Sequence, residues 1–129
     1  MFLPHQSDTG ALQPWEYLPA AAGTYQVGQL LNVSGGKLTA ISGASTTTPA
    51  YLCMSNITVA AGELVPVQRV SKNYIYETRL STAAASAKVG TKLQVSAGGL
   101  KADGAAEGSF EVVFLEATTA DAVVLGRFN

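Results

Sequence analysis

The residues able to do acid–base, nucleophilic or metal chemistry are few and far apart. His5 is the sole histidine and lies among prolines and polar residues, with no nucleophile beside it. Cys53 is the sole cysteine. Between Leu52 and Met54 it reads as a small buried hydrophobe. As a nucleophile it would need a histidine base, and His5 is remote in the chain. One cysteine also excludes an intrachain disulfide and a thiolate zinc site. Paired carboxylates are the remaining hydrolytic option, but Asp8, Glu16, Glu63, Glu77, Asp103, Glu107, Glu111, Glu116 and Asp121 are scattered over turns and strand faces. There is no GxxxxGK[ST], GxGxxG or HExxH motif. The glycine pairs at 35–36 and 98–99 follow strand-like runs without opening a helix, so neither reads as a phosphate cradle. The expectation is a protein that is not an enzyme and carries no cofactor or metal.

Composition points the same way. The 129 residues suit one domain, 47% hydrophobic but only 8% aromatic, so Val, Leu and Ile must fill the core around a few rings. Charged residues make up 13% and the net charge is -1. Nucleic-acid binding needs clustered Lys and Arg and is not expected. A surface so poor in charge is covered by small polar residues or buried against partners. No apolar run approaches the roughly 20 residues of a membrane helix, and the first residues do not read as a secretory signal. The sequons at Asn32 and Asn56 are accordingly read as polar strand positions.

The elements that would position these residues are strands. VGQLLNVSGGKLTA (27–40) and VGTKLQVSAGGLKA (89–102) align without gaps, matching Val27, Gly28, Leu31, Val33, Ser34, Gly36, Leu38 and Ala40 with Val89, Gly90, Leu93, Val95, Ser96, Gly98, Leu100 and Ala102. Each copy alternates apolar and polar residues, breaks at Ser and Gly, and resumes, as a β-hairpin does. They are either two unrelated hairpins or two equivalent corners of one small barrel or sandwich. YLCMSNITV (51–59) and ELVPVQRV (63–70) read as strands, with Pro66 placing the second at an edge or bulge. In YIYETRL (74–80), Tyr74, Tyr76, Thr78 and Leu80 share one face, and Ile75, Glu77 and Arg79 the other. STAAASAK (81–88) is a loop or one short helix, and DGAAEGS (103–109) a polar turn. FEVVFLEA (110–117) and AVVLGRF (122–128) form a hairpin. The fold class is all-β, a small β-barrel or β-sandwich spanning 23–129.

Residues 1–22 differ from the rest. Pro4, Pro14 and Pro19 interrupt any regular period, yet the stretch carries Phe2, Leu3, Trp15, Tyr17 and Leu18. It reads as an extended N-terminal arm that either folds over its own barrel or reaches a neighbouring subunit or shell, with the rings as anchors. Arg69, Glu77 and Arg79 join Phe2, Leu3, Trp15, Tyr17 and Leu18 as interface candidates.

The order WEYLPA, VGQLLNVSGGKLTA, a Thr-rich loop closed by Pro49 and Tyr51, AAGELVPVQRV with NYIYETRLS, a second VGxKL and a final EVVFLEA hairpin resembles the small head-decoration or head-fibre-like proteins of tailed bacteriophages. AGELVPVQRV and YIYETRL in tandem carry most of the likeness. The resemblance implies a virion structural protein on the outer face of the capsid, assembled in the bacterial cytoplasm. It would bind the major capsid protein and itself, as a homotrimer in many such proteins, and brace the head against its DNA. The arm would become ordered on the capsid. The alternative is a carbohydrate-binding or host-adhesion module on a spike or fibre, with Trp15, Tyr74 and Tyr76 stacking on sugar rings. A hydrolase built from the scattered carboxylates is the third reading.

Overall fold

A computed structural model of the chain describes residues 1–129 and contains thirteen strands and no helix. The strands are β1 (Leu3–Ser7), β2 (Trp15–Pro19), β3 (Gly23–Tyr25), β4 (Leu30–Ser34), β5 (Lys37–Ala40), β6 (Tyr51–Cys53), β7 (Ile57–Val59), β8 (Leu64–Arg69), β9 (Tyr74–Arg79), β10 (Lys92–Val95), β11 (Ala102–Ala106), β12 (Phe110–Leu115) and β13 (Val123–Phe128). They form a six-stranded sheet in the order β1-β9-β13-β12-β10-β11, a five-stranded sheet in the order β2-β8-β6-β4-β5, and a small β3-β7 ladder. The all-β expectation is met. Two antiparallel sheets pack as a small sandwich, and each curls until a parallel bridge joins two of its strands, β2 to β5 in one and β9 to β11 in the other. Ala20 meets Leu38 in the five-stranded sheet, and Leu80 meets Ala102 in the six-stranded one.

Alternation puts apolar residues on the inner faces. The smaller core gathers Leu31, Leu38, Tyr51, Cys53, Val65 and Val67 inside the five-stranded sheet, among others. The larger core centres on Phe2, Tyr76, Phe110 and Phe128, whose rings lie 5.1–6.0 Å apart. Leu30 and Leu52, directly opposite each other on β4 and β6, face out of the five-stranded sheet into this larger core. That contact joins the two halves.

The two motif copies are equivalent corners, and the equivalence extends over nearly the whole chain. The sequence β2-β8-β6-β4-β5 corresponds strand for strand to β9-β13-β12-β10-β11. The registers agree. Tyr51, Leu52 and Cys53 face Arg69, Gln68 and Val67, as Phe110, Glu111 and Val112 face Phe128, Arg127 and Gly126. Tyr17 and Leu18 face Pro66 and Val65, as Glu77 and Thr78 face Leu125 and Val124. Hydrogen bonds outside the ladders repeat as well. Gly28 N–H donates to Cys53 O and Gly90 N–H to Val112 O, and Cys53 N–H donates to Gln29 O as Val112 N–H does to Thr91 O. Gly62 and Asp121, both at positive φ, donate to Ala20 O and Leu80 O respectively. The chain is therefore a tandem structural duplication.

The gapless alignment fails within the second hairpin. Val33 pairs with Leu38, but Val95 pairs with Ala102, so Leu38 corresponds to Ala102 and not to Leu100. In the first copy Ser34 and Lys37 close a two-residue turn at Gly35 and Gly36, both at positive φ. Such turns match the twist of the strands they join. The second copy spans a longer loop.

Three other expectations change. Residues 1–22 take one of their two expected courses, folding onto their own chain, but as paired strands and not as an extended arm: β1 pairs with β9, β2 pairs with β8, and Phe2 is 0% exposed in the core of its own chain. The prolines allow this because β1 and β2 both lie at sheet edges, where a missing N–H is tolerated. By contrast, Pro66 is on β8, which is flanked by both β2 and β6. The ladder between β6 and β8 stops at the Cys53–Val67 pair, so Pro66 lies just past the end of β6, where no partner strand requires its N–H. Finally, DGAA of the expected polar turn is most of β11; STAAASAK is loop, the first of its two expected forms. Small residues are needed at this end: a β-carbon on Gly104 would overlap the Ala83 carbonyl, and one on Gly108 the Leu93 carbonyl.

Candidate interaction surface

The interface candidates fall into three places. Phe2 is buried and is no docking anchor: its ring meets Phe110 edge-on at 5.4 Å, and its N–H donates to Gly28 O at 2.8 Å. Leu3, Glu77 and Arg79 lie at the β1–β9 edge. Leu3 is paired with Glu77, His5 Nδ1 is 3.5 Å from the Glu77 carboxylate, and Arg79 donates to the Asp121 carbonyl at 2.8 Å. Trp15, Tyr17, Leu18 and Arg69 come together on β2 and β8.

Alternation on β2 separates its side chains. Trp15 and Tyr17 point outward and are 53% and 61% exposed, whereas Leu18 turns in against the smaller core. Register sets Tyr17 opposite Pro66 and Pro19 opposite the exposed Leu64. The result is an outward apolar strip of two rings, two prolines and a leucine on adjacent strands. Burying an aromatic of this kind contributes about 1.5–3 kcal/mol, so the strip is a suitable surface for another protein. Leu64 and Pro66 were not among the interface candidates read from sequence. The signal available was that Leu64 and Pro66 alternate with Val65 and Val67.

On the other face of β8, which it shares with Val65 and Val67, the Arg69 guanidinium stands 5.1 Å from the centroid of the Tyr51 ring and donates to the Tyr51 hydroxyl at 2.9 Å. The Glu16 carboxylate is 3.7 Å from Arg69 Nε. Arg69 is largely exposed, so this pair orients the guanidinium more than it stabilises the fold. Along its other side β2 has no strand partner and meets β5 only through the Ala20–Leu38 bridge. A groove of about 200 Å³ opens there, floored by Tyr51 and walled by Leu18, Pro19, Val33, Lys37 and Leu38.

A wider, shallow cleft of about 760 Å³ lies over the β4–β5 hairpin under the loop of residues 42–48. Ser, Thr and Asn32 line it together with Val33, Ile41 and alanines, with no aromatic ring and no charge. Tyr74 and Tyr76 cannot stack on a sugar: both are buried, their hydroxyls held by Ala11 O and Ser71 N–H. Trp15 remains exposed, with Tyr17 beside it.

Several titratable side chains are engaged in isolated pairs. Asp8 takes Arg127 at 2.8 Å, and Asp121 takes Lys101 at 2.7 Å, which holds the Asp121 carboxyl below its ordinary range. Glu63 accepts from Ala60 N–H. Cys53 is fully buried, its thiol donates to Ser55 O, and burial pushes its pKa up, away from the nucleophilic thiolate. No family model matches this chain, and no curated protein matches it.

Proposed function

We propose that this is a non-enzymatic structural protein of a bacteriophage virion, a decoration module that binds the outer face of the head and stabilises it. The observation that carries this reading is the outward strip of Trp15, Tyr17, Leu64 and Pro66 on a charge-poor, all-β body. The sequence-level resemblance supplies the virion context. The partners would be the major capsid protein and further copies of the chain, as a homotrimer. In this version the docking surface is a face of the folded body and not a free arm. Many copies on a symmetric shell would turn modest single contacts into firm attachment through avidity.

Two measurements test it. Quantitative mass spectrometry of purified particles should find this chain in fixed, high ratio to the major capsid protein; absence from particles would end the virion reading. The variant Trp15→Ala/Tyr17→Ala should keep its stability, because exposed truncations away from special features usually change it by within about 0.5 kcal/mol. It should lose head binding. Undiminished binding would move the docking surface elsewhere.

The adhesion alternative keeps one specific support, the Trp15–Tyr17 ring pair. A glycan array showing signal that both substitutions remove would favour it.

A further inference from the structure

The duplication is broken at one place. In the second half, β1 lies along the outer edge of β9. In the first half the corresponding strand, β2, has that edge open. The groove beside β2 is the counterpart of the slot that Phe2 fills. By the shared registers and bridges, Leu18 corresponds to Thr78, Val33 to Val95, Leu38 to Ala102 and Tyr51 to Phe110. Phe2 packs in one core with Val95, Ala102 and Phe110. Val95 is 0% exposed while Val33 is 49% exposed. One half thus has its slot plugged by an extended strand with an aromatic lead residue; in the other, Arg69 and Glu16 stand where Phe128 and Tyr76 would be, the Arg69 guanidinium lies 5.1 Å over the Tyr51 ring, and a groove of about 200 Å³ stays open beside Leu18, Leu38 and Tyr51.

We infer that the seam between β2 and the β4–β5 hairpin is an acceptor for an extended segment of a different protein, which adds as a strand to β2 and seats a bulky apolar side chain against Leu18, Leu38 and Tyr51. Strand addition satisfies the free main-chain groups of the edge, and a side-chain pocket supplies selectivity. Charge specifies the segment further. Lys101, the counterpart of Lys37, is neutralised by Asp121 at 2.7 Å. Gly62 stands where Asp121 would be, and Lys37 has no ion pair. An acidic residue beside the apolar anchor completes the match. The segment does not come from a second copy's N-terminus, because Met1–Ser7 is committed to β9 with Phe2 fully buried. The assignment stands on the duplication and holds whether or not the partner belongs to a capsid.

The test titrates the intact, ¹⁵N-labelled chain with an acetylated synthetic peptide of residues 1–7 carrying Met1→Asp. Expected are amide shifts confined to Trp15–Leu18, Val33, Lys37 and Leu38, with slowed exchange of β2 amides. Two control peptides, N-methylated at Phe2 or at Leu3, remove donors on opposite sides of the strand ahead of the register shift between Pro4 and Gln6, and one of them should bind more weakly by about tenfold. Lys37→Glu in the protein should weaken the acidic peptide. Four results would overturn the inference. They are no shifts at millimolar peptide, shifts on β9 from displacement of β1, binding indifferent to both N-methylation patterns, or the same β2 shifts appearing with protein concentration alone.

Discussion

Phe2 shows how one side chain decides the role of a whole segment. Its ring closes the larger core against Phe110 and Phe128, and its N–H is fixed on Gly28 O. Phe2→Ala should therefore cost about 3–5 kcal/mol, read from urea unfolding, since truncating a fully buried aromatic leaves a cavity. Leu3→Ala, at a 40% exposed edge position, should cost far less. Buried titratable groups set the alkaline limit. Burial raises the pKa of Cys53 from its ordinary 9.0, and of Tyr76 from 10.0. The unfolded chain releases these protons at lower pH than the folded one, so stability is full below pH 9 and falls as pH rises through the elevated values. Thermal midpoints measured from pH 7 to 11 should decline above about pH 9, and Cys53→Ala should delay the onset.

At the scale of elements, glycine locates where backbones touch. Gly108 turns β11 into β12 with no room for a β-carbon against the Leu93 carbonyl, whereas Gly43 sits in open space at ordinary φ. Gly108→Ala should destabilise the fold by about 1–3 kcal/mol through overpacking, with Gly43→Ala near neutral. Chemical denaturation of the two variants compares them directly. Strand β9 was readable because both its faces are consistent: Tyr74, Tyr76, Thr78 and Leu80 are buried, Arg79 is exposed, and Ile75 and Glu77 are half-buried. Strand β11 was not, because Ala-Asp-Gly-Ala-Ala has neither branched residues nor alternation. It is a strand through pairing with β10 and contact with the 82–83 loop, which no local pattern announces.

For the molecule as a whole, the duplication explains how the halves join and why the same apolar pair is not repeated on the far side. The first half offers Leu30 and Leu52 to the second. At the corresponding positions the second half carries Lys92 and Glu111, opposite each other on β10 and β12. Charged residues on a face that would otherwise continue the stack keep it from propagating. Lys92→Leu/Glu111→Leu would recreate the apolar pair on the outside, and sedimentation velocity should then show concentration-dependent association that the parent chain lacks on this face.

The sequence by itself determined the all-β class, the alternation of β9, the β12–β13 hairpin and the burial of Cys53, because each is written in a period or a turn signal a few residues long; it matched the Gly28 and Gly90 motifs but left open whether they were equivalent corners. It singled out Trp15, Tyr17, Leu18 and Arg69 without relating them. Only the tertiary structure placed those four around one pair of strands, sent Phe2 inward and showed the duplication in full. The matching halves share hydrogen bonds more than residues: Tyr51 answers Phe110, and Arg69 answers Phe128. Register is fixed by long-range pairing and by which face finds a core, and a short sequence pattern contains neither.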